Sequence, residues 1–234
     1  MKRTIILAAF AATALTANAN ATLSLSGGVG GAPVGATKEN FDTLAPGTTT
    51  TTTLPSGVVI SFMPNAMAVQ GRLVNVYAPP FLSGGNGLGF GPGGTNQPNG
   101  PDTTTYITTG STTATPGAAV TLTFPALEAH FGILWGSVDA YNTLSFYNGA
   151  ALVGALTGAD VLASPSGNQG ANGTLYVNIN STLAFDRVVA TSSQFAFEFD
   201  NIAFNPRNPV PEPSTLAIAG MGLLGLGLAR RRAK

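Results

Sequence analysis

"LSFYNGAALVGAL", residues 144–156, sets Asn148-Gly149 between two apolar runs. Both residues tolerate positive φ, so the pair is the strongest short-range signal for a β-hairpin with a type I′ turn. On the amino-terminal side, "AAVTLTF" (118–124) alternates Val120, Leu122 and Phe124 with Thr121 and Thr123. That is the period of a half-buried strand. The same pattern predicts strands over 58–62, 131–138, 174–179, 185–190 and 195–204. No convincing amphipathic helix lies between the termini. Many short strands separated by Gly, Pro, Asn and Thr predict an all-β fold, an antiparallel β-sandwich of jelly-roll-like form.

Two stretches interrupt this pattern. Residues 48–53 are an unbroken threonine run, read as a solvated spacer. "SGGNGLGFGPGGTNQPNGPD" (83–102) carries little to pack and predicts a long mobile loop. Its glycines make no phosphate cradle, because the lysine and the following helix of such a loop are missing.

The chain has 234 residues, no cysteine and a formal net charge of zero. Six of its ten Lys and Arg residues lie in the two terminal segments. Between Thr22 and Pro209 four basic residues face nine acidic ones, a balance of −5. Such a body is a poor partner for nucleic acid, whose binding rests on clustered Lys and Arg. Without cysteine there is neither a disulfide nor a thiolate metal site.

The ends carry signals of their own. Lys2 and Arg3, the apolar run 5–15 and the small residues Ala17 to Ala21 follow the order of a secretory signal peptide. Cleavage is expected after Ala21, with Ala19 as the alternative, so residues 1–21 form the signal peptide and 22–209 the β-sandwich body. At the other end, Val210-Pro211-Glu212-Pro213 precedes an uncharged run, 216–229, and then Arg230, Arg231 and Arg232. As a helix that run spans only ~21 Å, against a hydrocarbon core of ~30 Å. It is therefore a short transmembrane helix that crosses only with snorkelling and local thinning. The arginines stay cytoplasmic, which leaves the body outside the inner membrane.

This tail, residues 210–234, resembles the PEP-CTERM sorting signal. The resemblance implies recognition by an exosortase, which removes the tail and delivers the protein to the cell surface or matrix of a Gram-negative bacterium. "HFGILWGSVDAYNTLSFYNG" (130–149), "FAFEFDNIAF" (195–204) and "NFDTL" (40–44) likewise resemble a family of exosortase-dependent surface proteins. The implied role is structural or interactive, in an exopolysaccharide layer or biofilm, with no established activity and no enzyme expected.

Groups for catalysis are scarce. His130 is the only histidine and falls in an apolar strand pattern, which favours a structural role. A Ser-His-Asp system would have to use it, and Ser137 in "WGSVD" lacks a strand-turn-helix context. Glu198 and Asp200 share a strand face ~6.5 to 7 Å apart, a separation near that of paired acids in glycoside hydrolysis. A glycoside hydrolase is the least favoured reading. Glu39, Asp42, Asp200 and Asn201 are similar to the places where carbohydrate-binding β-sandwiches hold a structural Ca²⁺ between first and last strands, and hard oxygen ligands suit that ion. Asp139 with Asn142 is a weaker set. A carbohydrate-binding, lectin-like module is the alternative function, with Tyr141 and Trp135 as ring contacts to sugar. Trp135 lies in a run that also reads as core, so Tyr141 is the better of the two.

Overall fold

The computed structural model describes residues 22–27, 31–84, 97–112 and 117–206. The expected signal peptide, the sorting segment with its expected transmembrane helix, and the middle of the Gly-rich stretch lie outside the described residues. Within them the protein is all-β, with antiparallel pairing throughout and one short helix, α1 (Gly158–Val161). No helix among the described residues is long and apolar enough to cross a membrane.

The strands are β1 (Leu23–Gly27), β2 (Thr37–Glu39), β3 (Thr52–Thr53), β4 (Val59–Phe62), β5 (Met67–Val69), β6 (Phe81–Leu82) and β7 (Gly100–Pro101). They continue with β8 (Tyr106–Thr108), β9 (Ala119–Gly136), β10 (Asn142–Asn148), β11 (Ala151–Thr157), β12 (Leu175–Ser192) and β13 (Glu198–Pro206). Two of these differ from the sequence expectation. Segments 118–124 and 131–138 join into the single 18-residue β9, and 174–179 and 185–190 join into the 18-residue β12. The two long strands pair along both halves, 119–123 with 187–191 and 130–135 with 175–180, and their register breaks between Asn180 and Phe185. Such a break bends the strands and raises their local twist.

On either side of the bend the neighbours change. The first half of β9 pairs with β4 and the second half with β13. The late half of β12 pairs with β10, and the early half with β1. One continuous sheet is thus folded across its two longest strands. The halves face each other through aromatic contacts: Phe131 lies 5.9 Å from Phe124 and from Phe146, and Phe124 lies 5.0 Å from Phe204. Edge-to-face pairs of this kind add to the area they bury.

Burial follows the fold. In the first half of β9, Val120, Leu122 and Phe124 are buried while Thr121 and Thr123 face outward, as the alternation predicts. From Phe131 to Gly136 both faces are buried. The outer face of that half is covered by irregular chain: Leu82, Leu134, Tyr176 and Ala203 form a small second cluster, joined by Ala32 and Ala36. Gly136 lets Pro80 approach, since a Cβ there would sit 3.1 Å from Pro80. Part of the segment read as a mobile loop belongs to this cover. Leu82 pairs with Gly100 and Phe81 with Pro101, Gln97 is buried, and its Nε2 donates to Asp102 Oδ1 at 3.0 Å.

Candidate functional site

A cavity of about 240 Å³ opens where β9 ends and β13 begins. Gly136 is the last residue of β9 and lies opposite Glu198, the first of β13. Ser137 then turns the chain away at φ +44°, and Asn142 N–H donates to the Asp139 carbonyl at 3.1 Å to close the turn into β10. This sharp exit sets Ser137, Asp139 and Tyr141 beside Glu198. Asn75 and Val76 line the cavity from the covering chain, Ser166, Gly167 and Gln169 from the loop after α1, and Phe195 and Ala196 from the entry to β13.

Glu198 dominates the electrostatics. Its Oε1 accepts the Ala78 N–H at 3.0 Å, whereas Oε2 is buried with no hydrogen-bond partner. Burial pushes its carboxyl up to about 8, the backbone N–H groups offset part of this, and the nearby Asp139 charge adds to it. Desolvation also raises Asp139, against a lowering hydrogen bond from Tyr141. The Tyr141 hydroxyl lies 2.7 Å from Asp139 Oδ2 and 2.8 Å from the Phe195 carbonyl, two acceptors for one proton. Burial, then Asp139, shifts the Tyr141 phenol upward. Ser137 Oγ is buried and likewise without a partner. The site therefore favours the protonated form of the Glu198 carboxyl, beside a second acid, Asp139, with hydroxyls and amides around them.

The residues singled out in the sequence are distributed differently from expectation. Tyr141 is in the cavity. Trp135 is fully buried and stacked on Phe197 at 4.4 Å, so it is core and out of reach of a ligand. Glu198 and Asp200 do share a strand face, but that face is covered rather than solvated, and Asp200 does not line the cavity. Asp200 instead meets Asp102, and desolvation, then Asp102, holds its carboxyl well above the usual range. Asp102 had no local signal; it is buried, and its Oδ1 accepts from Thr104 N–H at 2.8 Å and Thr104 Oγ at 2.7 Å. His130 is buried, with Nδ1 3.1 Å from Asn180 Oδ1.

The residues considered for calcium come from neighbouring strands, since β2 pairs with β13 and sets Glu39 opposite Ile202. Most of their oxygens take local hydrogen bonds, while Asp42 Oδ1 is buried without a partner and Asp42 and Asp102 both raise Asp200. Glu39 accepts N–H groups from Asn40 at 3.2 Å and Ser56 at 3.1 Å, Asp42 accepts from Asn40 Nδ2 at 2.7 Å, and Asp200 accepts the Asn201 N–H at 2.7 Å. Among the described residues no group of three His, Cys, Asp or Glu side chains is arranged to hold a metal ion.

The carboxyl end, outside the described residues, matches the family model for the PEP-CTERM protein-sorting motif over residues 209–232. That match covers Val210 to Pro213 and Arg230 to Arg232. No curated protein and no solved structure matches the chain. The motif implies processing by an exosortase and export to the cell surface of a Gram-negative bacterium. By its tail, then, the chain carries the sorting signal of PEP-CTERM proteins.

Proposed function

We propose that the protein is a non-catalytic surface or matrix component of the exopolysaccharide layer or biofilm, displayed as a jelly-roll-like β-sandwich once both terminal signals have been removed. The observation that carries this reading is the sorting motif at 209–232. It is supported by a terminal apolar run too short for a relaxed membrane span. An all-β body with a continuous aromatic core and no need of disulfides suits an exported domain of this size.

Intact-mass analysis of protein recovered from the cell exterior tests it. The expected species begins at Thr22 and ends near Val210, co-purifies with exopolysaccharide, and is lost from the surface when the exosortase is deleted. Recovery of a chain that keeps Lys234 and remains in the inner membrane would sink the reading.

A second reading, a carbohydrate-binding module, is favoured by the polar cavity around Glu198 and Tyr141. Hydrolysis finds less support, because Asp200 lies outside the cavity that Glu198 lines. Release of reducing ends from the polysaccharide is not expected.

A further inference from the structure

We infer that the cavity between the end of β9 and the start of β13 binds one uncharged, hydroxyl-rich sugar unit, held by Glu198, Ser137 and Asp139. The inference rests on the carbohydrate-binding reading and assigns it a place and a ligand class.

Size comes first. A space of about 240 Å³ equals roughly eight water volumes. It falls below the ~300 to 1,000 Å³ of sites for drug-sized molecules, which suits a single pyranose ring rather than a chain of them.

Charge narrows the choice. The lining has two carboxyl groups and no Lys, Arg or His, so an anion has nothing to bind. A metal ion lacks a third ligand of the usual kinds among the described residues.

Hydrogen bonding decides between the remaining classes. Glu198 and Ser137 line the cavity, and Glu198 Oε2 and Ser137 Oγ are buried without a partner. Each such group carries a desolvation penalty while it remains unmet. The two differ from the acceptor-only set that an ammonium ion prefers: a serine hydroxyl both donates and accepts, as does a neutral carboxylic acid, while Asp139 accepts and the Asn75 and Gln169 amides can do either. Alcohol groups, which both donate and accept, match every member of this set. Val76, Phe195 and Ala196 complete a lining that is mostly polar.

The test uses the exported protein and the methyl glycosides of glucose, mannose and galactose as probes, with glucosamine and glucuronate as charged counterparts, read by calorimetry and saturation-transfer NMR. At least one neutral glycoside is expected to bind. Ser137→Gly, which removes the hydroxyl at a position whose positive φ glycine accepts, should weaken it about tenfold, the equivalent of 1.4 kcal/mol. Glu198→Ala should do the same, while Glu198→Gln, which keeps a donor and an acceptor, should stay within about threefold; melting curves of all three confirm folding. Chelator should change nothing.

Glucosamine binding alone, affinity lost with chelator, or neutral binding indifferent to Ser137→Gly and Glu198→Ala would each overturn the inference. If purified exopolysaccharide still binds while both variants are without effect, the carbohydrate-binding reading survives and this cavity is the wrong place. If the polysaccharide does not bind at all, both fall.

Discussion

Trp135 illustrates how one side chain reads in two ways. In sequence its ring is a plausible sugar platform, and in the fold it is sealed against Phe197. Trp135→Ala should therefore leave a large void and cost ~3–5 kcal/mol of stability in urea unfolding, as large-to-small changes of buried aromatics do. Gly132 is its small counterpart on the covered face. A Cβ there would stand 2.7 Å from the Tyr176 hydroxyl and 2.9 Å from the ring, both shorter than packed atoms allow. Gly132→Ala is expected to lower stability by about 1–3 kcal/mol, measured in the same way, through overpacking. The core role of Trp135 was legible because residues 132–135 form an unbroken run without polar alternation. The crowding at Gly132 was not, because it depends on Tyr176, which a separate strand delivers.

Among the elements, the hairpin between β10 and β11 was the clearest in sequence and still differs in one respect. Asn148 is the last paired residue, opposite Ala151, so the loop is Gly149-Ala150. Only Gly149 of these two has positive φ, at +57°, which is the demand of a type II′ turn rather than I′. A Cβ at Gly149 would meet nothing within 4 Å. The cost of Gly149→Ala is thus conformational alone, about 1 kcal/mol, and thermal unfolding should show the small shift without any change in packing. The four shorter strand segments that merge into β9 and β12 were each visible through their alternation. Their joining was not, because the connecting residues, such as Pro125 and Leu127, read locally as interruptions; pairing between the two long strands resumes beyond the bend.

Across the whole molecule, burial of acids sets the response to pH. Burial pushes Glu198 to about 8 and Glu128, at the bend, to about 7, and it raises Asp200 well above its ordinary value. Each of these groups holds its proton in the folded state at pH values where the unfolded chain has released it. The folded state therefore binds more protons, and stability falls as pH rises from the ordinary carboxyl range near 4.5 toward each folded value. The limiting slope is about 1.4 kcal/mol per pH unit for each such group. Asp160 runs the other way, lowered by Thr157, but it is exposed and contributes little. Calorimetric scans should show a higher Tm at pH 5 than at pH 8. Glu198→Gln should flatten the decline and be the more stable form at pH 8; a Tm that rises across this interval would contradict the assignment of Glu198 as a buried neutral acid.

Sequence by itself determined the destination and the class of fold. A sorting tail is read from adjacent residues, and strand alternation follows from the two-residue period of an extended backbone, so neither needs distant contacts. Tertiary structure alone decided which acids meet. Glu198 and Asp200, neighbours on one strand face, take separate partners: Glu198 lines a cavity with Asp139, and Asp200 abuts Asp102. The reason is that the chain covering this face and the turn leaving β9 arrive from remote parts of the sequence. Long-range pairing, which no local pattern encodes, sets the charge, burial and solvent access of those side chains.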